Sequence, residues 1–174
     1  MIKPVRTYPD PVLLARCEAV SASEAERVAV DLVDTMRSLP RCVGLAAPQI
    51  GEPARVAVVD CSGHPATAAH NRLLVLVDPR ILEAAGREVG REGCQSLPWY
   101  TVDVARHRRI VVESEPGRLV WAAGFEARAI QHEIDHLDGT LILDRAAGAR
   151  AVHRRGTGAP SLTVPRSGEE NPTP

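Results

Sequence analysis

One segment constrains this 174-residue chain more than any other, the run from Gly124 to Gly139. At 3.6 residues per turn, Phe125, Ala129, His132 and His136 share one face, and Ile130, Ile134 and Leu137 share a second. A helix apolar on two faces is largely buried. Gly139 is well placed as its C-terminal cap. Aromatic residues make up only 3% of the chain and Phe125 is the only phenylalanine, so the core has to be built from Val, Leu, Ile and Ala.

The chain length suits one domain that can bury a proper core without disulfides. The formal net charge of -1 argues against a DNA or RNA binder that works by bulk charge. No apolar run approaches the roughly 18 residues of a membrane span, and Met1 to Pro9 lack an apolar core of signal-peptide type. We therefore expect a cytoplasmic protein without a membrane partner. Cys17, Cys42, Cys61 and Cys94 then read as reduced thiols, any of which is free to serve as ligand or nucleophile.

Upstream, Met1 to Val20 is loop-like. Ser21 and Glu24 have capping-box spacing, and Ala25, Val28, Leu32, Met36 and Leu39 recur every three or four residues. This predicts an amphipathic helix of about 16 residues ending before Pro40. Cys42 to Gly51 reads as a constrained loop or edge strand. Arg55–Asp60 and Leu73–Val77 read as strands, joined by a loop in which His64 and His70 are expected to be solvated. Ile81 to Val112 reads as short strands broken at Gly86 and Gly90. A turn at Pro116-Gly117, a strand over Arg118–Ala122 and a last short strand over Leu141–Leu143 follow. From Gly148 the composition turns to Gly, Pro, Ser, Arg and Glu, which divides the chain into a catalytic domain over 1–147 and a flexible tail over 148–174.

The buried helix carries chemistry. His132-Glu133-Ile134-Asp135-His136 is an H-E-x-x-H motif. Histidines four apart project side by side and can hold one cation, with the glutamate within reach of a bound water. The bland alternative is two core histidines bonded to backbone groups. A catalytic site of this kind uses three protein ligands and an open position. The histidine expected six residues past the motif is Ile142 here, Glu169 and Glu170 lie in the expected tail, and His153 stands at its start. The third ligand is therefore expected upstream, with Cys94 the leading candidate, because a thiolate beside a divalent cation is deprotonated outright.

Three segments together resemble the motifs of the peptide deformylase family. They are Val43-Gly44-Leu45-Ala46-Ala47-Pro48-Gln49, Glu92-Gly93-Cys94-Gln95-Ser96, and Gln131-His132-Glu133-Ile134-Asp135-His136-Leu137-Asp138-Gly139. The similarity runs from about Pro4 to Arg145. It implies an α+β fold with antiparallel β-sheets surrounding the central buried helix that carries H-E-x-x-H, and an N-terminal amphipathic helix. It implies a hydrolase that removes the formyl group of N-formylmethionine from newly made bacterial or organellar proteins. The metal ligands would be Cys94, His132 and His136. The cation would be Fe2+, with Zn2+, Ni2+ or Co2+ as substitutes. Glu133 would be the general acid/base, and the Gln49 side chain and Gln95 backbone N–H would stabilise the oxyanion. Val43, Gly44, Leu45 and Arg106 would contact substrate. N-formylmethionyl nascent peptides are the implied partners, with transient contact to the ribosome, although the tail lacks the long C-terminal helix of some members. Cys42 stands where the family more often has glycine, Gln95 replaces an aliphatic residue, and Trp99 follows Pro98 where smaller or polar residues are common. A general metallopeptidase and a catalytically silent relative are the competing readings. The retained Glu133 speaks against the second.

Overall fold

The structure, a computed structural model, describes residues 1–67, 70–115 and 117–156. Among these, two α-helices and seven strands form an α+β fold with two antiparallel sheets. The Ser21 hydroxyl accepts the Glu24 N–H at 3.3 Å and so starts helix α1, Ala22–Ser38. Strands β1 (Gly44–Ala46), β2 (Val56–Val59) and β3 (Leu74–Val77) make the first sheet, with β1 at its edge. All four residues of β2 are buried. The reason is that the two helices cover opposite faces of this strand. Val56 and Val58 pack with Val28, Leu32 and Met36 of α1, while Val59 packs with Ile130 and Ile134 of the second helix.

The second sheet is built on one long hairpin, β4 (Arg80–Cys94) and β5 (Leu97–Glu113). Strands β6 (Leu119–Ala123) and β7 (Val152–Arg154) also pair with β5. The expected series of short strands is thus two long ones. Gly90 pairs with Val104 inside the ladder, and Gly86 takes a left-handed φ of 64° between the paired residues Ala85 and Arg87. Glycine weakens a strand, but pairing on both sides of each glycine carries the chain through.

Helix α2, Gly124–Leu137, runs between the sheets and touches β1 and β2 on one side and β5 and β6 on the other. Its end is a Schellman arrangement. Gly139 N–H donates to His136 O at 3.2 Å and Thr140 N–H to Asp135 O at 2.8 Å, with Gly139 at φ 70°. Leu141–Leu143 do not form the expected strand. Asp144 and Arg145 N–H donate back to Leu141 and Ile142 O, and the Asp144 carboxylate accepts Leu141 N–H at 2.8 Å, which closes turns. Buried Leu141 and Ile142 join the core beside Leu13 and Val102.

The expected boundary after residue 147 also changes. Val152–Arg154 dock as β7, His153 Nε2 meets Asp103 Oδ2 at 2.8 Å, and Arg155 N–H donates to Trp99 O at 2.8 Å. Composition misses this because a three-residue edge strand is held by backbone pairing and needs few apolar side chains. Residues 157–174 of the expected tail, and Pro116 of the expected turn, lie outside the described residues.

Candidate metal centre

Cys94 ends β4, where the pairing of Cys94 with Leu97 closes the hairpin and a register shift follows Gly93. Helix α2 presents His132 and His136 one turn apart. One ligand atom from each of the three residues lies within 4.8 Å of the others. Cys94 Sγ is 3.2 Å from His136 Nε2, and His132 turns its Nδ1 to Glu92 Oε2 at 2.9 Å. The second nitrogen of His132 is thereby left for the centre, the usual way a carboxylate orients a ligating imidazole. A thiolate with two imidazoles is a donor set suited to a borderline-soft divalent cation, so these residues fit a metal.

The electrostatics agree. Burial would push the Cys94 thiol up, but the His136 and His132 imidazoles outweigh it and hold it well below its ordinary value. Burial likewise opposes charge on Glu92, yet His132 and Arg106 bring it down to about 2. Glu133 behaves oppositely. It is buried, and desolvation outweighs the nearby histidines and raises it to about 7. Its Oε2 has no hydrogen-bond partner among the described residues. A Cβ built on Gly44 would lie 2.5 Å from Glu133 Oε1, so the glycine of β1 is what gives this carboxyl its space.

Gln49 sits in the short 3-10 helix Ala47–Ile50 and is 2% exposed. Its Oε1 accepts Ala46 N–H at 3.0 Å, which fixes the amide. Nε2 then donates to Ser96 Oγ at 3.1 Å and to Cys94 Sγ at 3.6 Å. A cavity of about 790 Å³ opens over the centre and is lined by Val43, Gly44, Gln49, Cys94, Gln95, His132 and Glu133 among others.

The side chains of two expected substrate contacts, Leu45 and Arg106, do not line this cavity. Leu45 is fully buried and packs in the core under α1, so its side chain is absent from the cavity wall. Arg106 is 5% exposed and stands behind the ligands. It donates to both Glu92 oxygens at 2.9 and 3.0 Å and to Asp135 Oδ2 at 2.5 Å. Arg128 joins Glu92 at 2.9 Å, and Arg145 joins Asp135 at 2.8 Å. Arg106 is therefore an anchor for the carboxylate that holds His132. The signal was in the sequence: Tyr100, Val102, Val104 and Arg106 share one phase of β5, and all four are buried.

Four further residues of the wall bear on the sequence reading. His64, expected in solvent, stacks on Phe125 with ring centroids 3.9 Å apart and lines the cavity. His70 lies apart, with its Nδ1 accepting Arg72 N–H at 3.0 Å. Cys42 does face the cavity. Its thiol donates to Gly44 O at 3.1 Å, and burial pushes it up to about 12. Arg41 and Arg155 reach the same cavity without any signal in the sequence.

The comparisons converge. The profile of the polypeptide deformylase family matches residues 2–151. The chain is 41% identical to a peptide deformylase of Dictyoglomus thermophilum over 152 residues, which is 84% of this chain and 94% of the relative. It is 42% identical to peptide deformylase 2 of Streptomyces avermitilis over 162 residues, covering 88% and 83% of the two chains. The crystal structure of the Thermus thermophilus peptide deformylase superposes with a TM-score of 0.73 at 40% identity, over 83% of this chain and 86% of that one. The chain belongs to the peptide deformylase family, metal-dependent hydrolases that remove the formyl group from N-terminal formylmethionine.

Proposed function

We propose that Cys94, His132 and His136 hold one divalent cation, Fe2+ in the cell, with Zn2+, Ni2+ or Co2+ able to take its place. The donor set of one thiolate and two imidazoles supports this reading. When bound, the cation supplies Lewis-acid activation of water near neutral pH. The remaining work falls to the side chains around it. Glu133 takes the water proton at its carboxyl oxygen and delivers it to the leaving amine. A carboxyl raised to about 7 is suited to both directions of that transfer. Gln49, whose amide is turned by Ala46 so that Nε2 faces the centre, donates to the developing oxyanion, and the Gln95 backbone N–H is the second donor. Val43 and Gly44 border the cavity that receives the formyl-methionine. The edge position of β1 suits an extended peptide, which can pair with an open strand.

One observation carries the assignment. Among the described residues the Glu133 oxygen is buried without a partner, in a site that also holds three atoms able to ligate a cation and a fixed amide donor. Buried polar groups without partners are few in native proteins, and one beside a donor cluster points to a function. We further infer that the enzyme works in the bacterial cytoplasm with transient contact to ribosomes carrying formylated chains, in keeping with its bacterial relatives. The test is anaerobic purification with metal analysis, followed by formate release from a formyl-Met peptide. Cys94→Ala, His132→Ala and His136→Ala should each lose metal and activity together. A Cys94→Ala protein with full metal content and turnover would refute the ligand set.

A further inference from the structure

The cavity over the metal centre has a one-signed rim. Its acidic lining residues are Glu92 and Glu133, and both are buried in its depths. Glu92 is already matched by Arg106, Arg128 and His132. The outer wall carries Arg41, Arg91 and Arg155. Arg91 is engaged by Asp103 at 2.6 and 3.2 Å. Arg41 and Arg155 are exposed, and among the described residues neither guanidinium has an ion-pair or hydrogen-bond partner.

Both are held by local structure. Arg41 occupies a left-handed backbone position, φ 56°, where the chain turns out of α1 toward β1. Arg155 is delivered by β7 and fixed at its main chain by Trp99 O. Its guanidinium lies against Gly93, where an added Cβ would collide with it. The absence of a side chain at Gly93 therefore lets this cation rest on the residue next to the ligand Cys94. Arg41 is three residues from Gly44, which touches Glu133, a reach of about 10 Å along extended chain. A peptide whose formyl group sits at the centre brings its second to fourth residues past these two cations at about 3.3 Å per residue.

We propose that Arg41 and Arg155 set a substrate preference, selecting formyl-Met peptides with an acidic side chain within the first residues after methionine over peptides with a basic one. This rests on the deformylase reading above and names the substrate class within it. Nucleic-acid phosphate is the other anion such a rim attracts. The peptide is favoured because both arginines line the cavity that the reacting chain must enter.

The test compares kcat/KM for C-terminally amidated formyl-Met-Ala-Glu and formyl-Met-Ala-Lys with the full-length metal-loaded enzyme, at low and at 0.3 M salt. Exposed ion pairs are individually weak, but two cations that attract one peptide and repel the other should give a Glu/Lys ratio of about tenfold at low salt. The ratio should shrink toward one at high salt. Arg41→Gln with Arg155→Gln should bring the ratio close to one, and Arg155→Glu should favour the lysine peptide. Because Arg155→Glu reads as a reversed preference, loss of folding cannot imitate it. A wild-type ratio near one, or an unchanged ratio in the double variant, would overturn the inference. So would loss of RNA binding in the variants with peptide selectivity intact. Formate release from neither peptide would overturn the underlying deformylase reading, a distinct result.

Discussion

Helices α1 and α2 are similar in length, 17 and 14 residues, yet the fold uses them in opposite ways. α1 has one apolar stripe on one sheet, and its buried polar groups are only Asp31 and Thr35. α2 is enclosed by both sheets and buries Glu126, Gln131, Glu133, Asp135 and His136. Burying so many polar groups demands partners, and most have them. Glu126 accepts two bonds from Asn71, Gln131 bonds both backbone groups of His107, and Asp135 meets Arg106 and Arg145. Among the described residues of α2, the buried side-chain atoms left over are Glu133 Oε2 and His136 Nδ1. The contrast separates a helix that stabilises from one proposed to work, and one of the atoms left over, Glu133 Oε2, belongs to the carboxyl proposed to carry the proton.

The contrast can be broken most severely at Glu133. Glu133→Gln keeps shape and removes the proton acceptor, so formate release should fall by about 10²–10⁴-fold while metal content is retained. Normal turnover in this variant would show that α2 carries no proton chemistry. Next comes Arg106→Leu, which takes the buried guanidinium away from two buried carboxylates and leaves Glu92 to Arg128 and His132 and Asp135 to Arg145. Urea unfolding should register a loss of about 3–5 kcal/mol. Metal affinity should drop by roughly tenfold or more, because Glu92 no longer holds His132 firmly. Stability unchanged by this substitution would mean that the buried network is dispensable.

The scaffold helix should respond differently. Leu32 is fully buried on α1, and Leu32→Ala should cost about 3 kcal/mol in unfolding free energy. Formate release per folded molecule should hold, and a fall in kcat at full folding would erase the distinction between the helices. The smallest effect belongs to the cap. Ser21→Ala removes the acceptor for Glu24 N–H and should lower stability by about 1 kcal/mol, read as a modest drop in Tm.

The parts legible in sequence were those with strong local periodicity or fixed chemistry. The spacing of Ala25, Val28, Leu32 and Met36 marks α1 to within a residue or two, and the apolar run of Arg55–Asp60 marks β2 as a strand. The grouping of Cys94, His132 and His136 was legible because the H-E-x-x-H spacing sets two imidazoles one helical turn apart and a third donor had to be sought upstream. The β4–β5 hairpin was not. The residues of β4 up to Glu88 are exposed, so no alternation appears, and its glycines look like breaks. The alternation of β5 marks Arg106 as buried but not what it meets, because its carboxylate partners lie 14 residues upstream and 29 downstream. β7 was hidden for a related reason, since its support is backbone pairing and an Asp103–His153 contact 50 residues apart.

The proposed ligands come from a hairpin tip and a helix separated by 38 residues at their closest, Cys94 to His132. No local segment of the unfolded chain gathers them. A cation that binds only the assembled set therefore acts as a thermodynamic weight on the native state. At a hundredfold excess over its Kd it adds about 2.7 kcal/mol to the free energy of unfolding. On the proposed ligand set, supply of metal would then govern how much of this protein persists as well as how fast each molecule works. Under metal scarcity, chains without the ion would open more often and become substrates for proteolysis, so abundance and activity would decline together.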